Sequence, residues 1–161
     1  MKKIFSVLVE NRSGVLSKVS GLFARRSYNI DTLTVGETND KTISHMTICS
    51  SGSKWEMEQI EKQLNKKLDV IKVRTFEEQN AILKEIILVK IKYTAANRGE
   101  ILEICQLTKA EIVDSNKDYM IIYLCAEPDK TTGLLDMLGK FNITECCRTG
   151  TLAMSKCSLG E

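Results

Sequence analysis

The sequence predicts an α+β fold made of two successive βαββαβ units. Three observations carry this expectation. Hydrophobic residues alternate, then recur at helical spacing, then alternate again, and that order runs twice along the chain. Residues 75–83 are polar and lack a period, as a linker would. The 161 residues accommodate two units of about 75 residues each, within the ordinary range of domain sizes. The order is that of ferredoxin-like folds, with residues 1–76 as the first domain and 84–161 as the second.

Each element has its own signal. In residues 4–9, Phe5, Val7 and Val9 alternate with Ile4, Ser6 and Leu8, a strand pattern. Asn11, Arg12, Ser13 and Gly14 form a turn. Val15, Leu16, Val19, Leu22 and Phe23 then fall on one helical stripe. Ser13 is the expected cap, and Arg25 and Arg26 complement the helix dipole at the other end. Residues 30–35 are rich in Thr, Leu and Val, as strands are. Residues 36–42, with Asn39-Asp40, form a hairpin loop leading to a strand at 43–49. The segment 50–53 ends that strand. Met57, Ile60 and Leu64 mark a helix over 54–65, and 70–73 is a short strand.

The second unit repeats the order. Residues 86–91 are β-branched and apolar. Ile101, Ile104 and Cys105 mark a helix over 98–107. Strands at 111–113 and 119–126 flank a turn at 115–118. Pro128-Asp129 opens a helix with Leu134, Leu135, Leu138 and Phe141 turned inward. Residues 143–149 close the unit as a strand. Each sheet would carry two helices on one face. Ile4 and Leu8 make the other face of the first sheet apolar too, which predicts a partner sheet or a dimer.

Composition excludes several classes. Hydrophobic residues make up 43% and charged residues 27%, so a folded soluble domain is expected rather than disorder. The net charge of +2 offers no basic field for nucleic acid. The opening MKKIFSVLVE starts like a signal peptide, but its apolar run stops at Glu10 and reads as a strand. No apolar run approaches about 18 residues, so no membrane span is expected and the chain is placed in the cytoplasm. Cys49, Cys105, Cys125, Cys146, Cys147 and Cys157 form no CxxC pair. They are expected to be small buried hydrophobes in a reducing compartment, with no metal site.

Catalytic groups are missing from the pattern. His45, the one histidine, has no Cys, Asp or Glu at ligand spacing and no evident nucleophile. The aromatics are too scattered to form a base-stacking platform. No phosphate-loop motif occurs. Acylphosphatase-like chemistry would need an Arg in the first turn. Arg12 is there, unsupported by its neighbours. Asn11, Gly14 and Asn29 remain. Glycine at the start of the first helix lets a ligand approach the backbone, and the N–H groups of Gly14, Val15 and Leu16 favour an anion such as a carboxylate. Asn11 and Asn29 can donate and accept, to an ammonium or a carboxylate. Ordinary turns use the same residues for their unusual dihedrals, so a binding turn and a plain turn both stay open.

The segment VENRSGVLSKVSGLFARRSYNIDTLTV, followed by SHMTI and EQIEKQLNKKLDVIKV, closely resembles the regulatory small subunit of acetolactate synthase, also called acetohydroxyacid synthase. EIILVKIK and CRTGTLAMSKC continue the resemblance, so it covers nearly the whole chain. It implies an N-terminal ACT domain that binds effector and dimerises, with sheets joined edge to edge. It implies a C-terminal domain in contact with the catalytic large subunit. The small subunit itself would be noncatalytic and hold no cofactor; thiamine diphosphate, magnesium and FAD would belong to the large subunit. The family activates that enzyme and mediates feedback inhibition by a branched-chain amino acid, usually valine. Asn11, Gly14 and Asn29 match the family's effector-contact positions, with Val15, Leu16 and Ile30 beside them. The effector's side chain would rest on residues such as Leu8, Leu33 or Val35. The chain departs from the family at His45, where Arg is usual, and at Lys156-Cys157. A free-standing amino-acid sensor with another partner is the alternative expectation.

Overall fold

A computed structural model describes residues 1–157. The first unit runs β1 (Lys2–Glu10), α1 (Val15–Ala24), β2 (Thr32–Glu37), β3 (Ile43–Ser51), α2 (Lys54–Asn65) and β4 (Val70–Phe76). The second runs β5 (Ala81–Lys92), α3 (Arg98–Thr108), β6 (Glu111–Ser115), β7 (Tyr119–Ala126), α4 (Pro128–Leu138) and β8 (Asn142–Arg148). A ninth strand, β9 (Leu152–Ser155), pairs with β5. The sheet orders are β2-β3-β1-β4 and β6-β7-β5-β8, antiparallel throughout these paths. This is the βαββαβ order expected, twice.

Register sorts the first sheet into two faces. Phe5, Val7 and Val9 of β1 and Met46 and Ile48 of β3 face the helices and pack on Val15, Val19, Leu22 and Phe23 of α1 and Met57, Ile60 and Leu64 of α2. Phe5 and Phe23 meet edge to face, centroids 6.5 Å apart, a geometry worth about 0.5–1.5 kcal/mol beyond area burial. The other face carries Ile4, Ser6 and Leu8, opposite Cys49, Thr47 and His45 on β3 and Phe76, Arg74 and Lys72 on β4. Leu8 therefore lies on the helix-free side and does not flank α1, contrary to its expected role beside the effector.

Several expectations are corrected. The cap of α1 is Gly14 and not Ser13, whose side chain makes no cap bond. Arg25 is the residue that ends α1, so neither Arg25 nor Arg26 lies in its last turn. The polar linker shrinks to a single 3-10 turn, Glu78–Asn80, because β4 runs on to Phe76 and β5 starts at Ala81. Its polar look comes from Glu77, Glu78, Gln79 and Asn80, the short stretch that stays outside both strands. The segment 50–53 holds an unforeseen capping box: Ser53 and Glu56 bond each other's backbone N–H. Only Cys49 and Cys105 are buried, while Cys125, Cys146, Cys147 and Cys157 are exposed thiols. Cys125 and Cys147 lie on the helix-free face of the second sheet, opposite Ile86 and Leu88. Among the described residues, contacts group Met1–Ile82 with residues 151–157, and Leu83–Gly150 as a second compact unit.

The second unit buries one charged cluster. Glu85 on β5, its side chain 1% exposed, is bonded by Thr131 on α4 and by Arg148 on β8. Arg148 belongs to the CRTG stretch, and this contact gives it a structural role. Arg148→Met should destabilise the protein by about 3 kcal/mol, the low end for orphaning a buried charge, because Arg148 is itself 37% exposed. The double change Glu85→Leu with Arg148→Met should cost less than Arg148→Met alone. Urea unfolding of both variants checks this; equal losses would mean the pair carries no coupling.

Candidate functional site

The turn between β1 and α1 is built by hydrogen bonds to distant segments. The Asn11 N–H donates to the Thr42 carbonyl at 2.7 Å. Its Nδ2 donates to the Lys41 carbonyl at 2.9 Å and to Glu37 Oε1 at 3.1 Å. Asn11 thereby ties the turn to the end of β2, and among the described residues its Oδ1 has no hydrogen-bond partner. Gly14 follows at φ 85°, ψ −9°, a left-handed conformation in which a Cβ is strained, although nothing lies within 4 Å of where one would stand.

Helix α1 starts at Val15, whose N–H makes a long 3.3 Å bond to the Arg12 carbonyl. The Gly14 and Leu16 N–H groups have no partner among the described residues, so the first turn offers donors and the positive end of the dipole. Val15 is buried in the core and Leu16 is 43% exposed beside the turn. Glu37 and Lys18 stand near, groups the sequence pattern did not single out.

Asp69 holds this turn in place. Its carbonyl accepts from the Glu10 N–H at 2.9 Å. Its carboxylate accepts from Arg12 Nη2 at 2.7 Å and from Lys18 Nζ at 2.8 Å. The hydrogen bond from Lys18, opposed by burial and reinforced by Arg12, holds its pKa below the ordinary 3.8. Arg12 is thus engaged in an ion-pair cluster with Asp69 and Glu10.

Asn29 is elsewhere in the protomer. It is exposed just before β2, where its carbonyl accepts from Ser50 Oγ at 2.6 Å and its Nδ2 donates to Asp31 Oδ1 at 2.8 Å. Ser50 and Cys49 pair with the start of β1, whereas Asn11 follows its end. Ten-residue α1, about 15 Å long, separates Gly14 from this loop. Ile30 packs partly buried on the core next to Asn29. One chain therefore brings Asn11, Gly14, Val15 and Leu16 together and leaves Asn29 and Ile30 at the other end of the sheet.

His45 is half-buried on β3 and hydrogen-bonded through Nε2 to Ser6 Oγ at 2.7 Å. Burial lowers its pKa. Among the described residues no three His, Cys, Asp or Glu side chains converge as metal ligands would. Among them too, no helix is long and apolar enough to cross a membrane.

Residues 5–72 match the family described as AHAS small subunit-like ACT domain. Residues 84–157 match the family described as small subunit of acetolactate synthase. The chain is 41% identical, over 96% of each sequence, to a probable acetolactate synthase small subunit of Archaeoglobus fulgidus. It is 41% identical to the acetolactate synthase small subunit of Mycolicibacterium smegmatis, over 94% of this chain and 89% of that one. The crystal structure of the acetolactate synthase small subunit from Thermotoga maritima superposes with a TM-score of 0.90, at 32% identity, covering 97% of this chain and 98% of that one.

Asp69 gives the turn an acid limit. Its folded pKa is depressed, so its stabilisation is present above the ordinary value of 3.8 and is lost as pH falls through the folded value. Asp69→Asn should lower the melting temperature at pH 7, and the gap to the unaltered protein should close below about pH 3.9. Thermal melts across that range check it; a gap independent of pH would show that the ion pairs contribute nothing.

Proposed function

The chain belongs to the acetolactate synthase small-subunit family, whose role is regulatory, and we propose that it senses a branched-chain amino acid, valine first, for the catalytic large subunit. The observation that carries this reading is the open first turn of α1. A left-handed glycine exposes N–H groups there while Asn11 and Glu37 stand alongside. An amino acid's carboxylate fits the N–H groups and the dipole. Its ammonium fits Asn11 Oδ1 and the Glu37 carboxylate, which Asn11 already contacts. Open N–H groups beside an acceptor and a carboxylate suit binding of an amino acid.

The position of Asn29 supports a site shared by two copies. β2 and β4 are the two edges of the first sheet. β4 carries Lys72 and Arg74, charges that discourage edge pairing, whereas β2 reads TLTVGE and is free of Lys, Arg and Pro. Two β2 strands pairing antiparallel about a two-fold axis bring the start of one beside the end of the other. Asn29 of a second copy then approaches Glu37, Asn11 and Gly14 of the first. Leu33 and Val35, on the helix side of β2, would meet the effector's apolar side chain in this reading. Each pair of chains would hold two such sites.

Regulation requires the amino acid to favour one arrangement of the holoenzyme over another, since equal affinity shifts nothing. In this reading the second unit makes much of the contact with the large subunit. The chain works in the cytoplasm and leaves thiamine diphosphate, magnesium and FAD to that partner.

Two variants test the site. Gly14→Asp should abolish valine binding by calorimetry while the fold and the activation of the large subunit persist. Asp tolerates a left-handed φ better than most residues, and its carboxylate repels the ligand's own. Undiminished binding would put the carboxylate elsewhere. Val35→Lys should convert dimer to monomer in size-exclusion chromatography with light scattering, and valine binding should vanish with it. A monomer that still binds valine would mean that one chain holds the whole site.

A further inference from the structure

The helix-free face of the first sheet holds a cavity of about 210 Å³ that none of the effector-turn residues touches. Leu8, Phe76, Ala153 and Met154 supply apolar walls. Two cations, Lys72 and Arg74, border it from alternate positions of β4. Register sets Arg74 opposite Ser6 and Lys72 opposite Leu8 on β1. Ser6 and His45, bonded at 2.7 Å, complete the polar side. β9 lies against this face and contributes Ala153, Met154 and Ser155. The residues all belong to the first compact unit.

The charge is one-sided. No Asp or Glu lines the cavity. Among the described residues neither Lys72 nor Arg74 has an ion pair or a side-chain hydrogen bond. Arg74 is half-buried, and an anion gains most where water is partly excluded. The fork of a guanidinium matches a carboxylate with two parallel bonds. When the Nε2–H of His45 donates to Ser6 Oγ, the serine hydroxyl proton is free to donate to a third group.

We propose that this cavity binds a small monocarboxylate with a short or branched apolar chain and no ammonium group. The carboxylate lies against Arg74 and Lys72 and the chain on Leu8, Phe76 and Met154. Size fits a small ligand: about 210 Å³ lies below the roughly 300 Å³ at which pockets for drug-sized ligands begin. An α-amino acid is disfavoured, because its ammonium would meet two cations and no carboxylate. Inorganic phosphate and phosphate esters are disfavoured by the apolar walls, which offer nothing to their remaining oxygens. The site is separate from the amino-acid turn and can fail without it.

The test uses the full chain and 3-methylbutanoate, which is valine without its ammonium. Calorimetry should show saturable binding of this acid. Arg74→Gln should weaken it at least ten-fold and Lys72→Gln several-fold, with Gly14→Asp leaving it unchanged. The ring signals of His45, the one histidine in the chain, should shift on titration of the unaltered protein, so occupancy is read even if a variant misfolds. Absence of saturation, unmoved His45 signals, affinity indifferent to Arg74→Gln, or equal competition by inorganic phosphate would each overturn the proposal. Loss of 3-methylbutanoate binding in Gly14→Asp would show that the acid occupies the effector turn instead.

Discussion

Both helices of a βαββαβ unit land on the same face of its sheet, because each crossover has the same hand. Much of this protein follows from that constraint. In the first unit α1 and α2 bury Phe5, Val7, Val9, Met46 and Ile48 on one side. Ile4, Cys49 and Thr47 on the other side are still almost fully buried, so the sheet has apolar needs that its own helices cannot meet. β9 lies against β1 on that side and lines the cavity with Leu8 and Phe76. In the second unit the same geometry leaves Leu88, Cys125 and Cys147 exposed.

The same constraint fixes where ligands can go. A helix that returns over its sheet starts at the end of one strand, so the N-terminus of α1 and the last residues of β1 share a corner. Gly14 makes that corner turn tightly without blocking it. Asp69 pins the corner through Arg12 and Lys18, and Asn11 fastens it to β2. The corner is thus tied by hydrogen bonds before any ligand arrives, which would lower the ordering cost of the proposed binding. In the proposed dimer, its remaining side, toward the β2 edge, would be closed by a second chain. Dimerisation and effector binding are coupled in this scheme because they use the same strand.

Charge is distributed to suit. Lys72 and Arg74 are charges of the kind that discourage pairing at an edge such as β4, and they give the helix-free face its cationic character. β2 has no such guard. In the proposed dimer, this asymmetry of the two edges would favour β2 as the one that meets a partner.

The residues alone determined the element order, the two-unit plan and the turn at Asn11 to Gly14. Periodicity, glycine and turn chemistry are local signals, and α1, α2 and β7 follow them closely. The capping box at Ser53 and Glu56 was equally local and could have been read from the Ser-x-x-Glu spacing. The extent of β4, the strand β9 and the exposure of four cysteines were not legible. Each depends on which sheet face is covered, and coverage is a property of packing that no short window records. Asp69 could not be found from the sequence either, because it meets Arg12 across 57 positions of chain. The separation of Asn29 from Gly14 was likewise decided by tertiary structure: a ten-residue helix places them at opposite ends of the first unit, so in the proposed dimer they would share a site only across two chains.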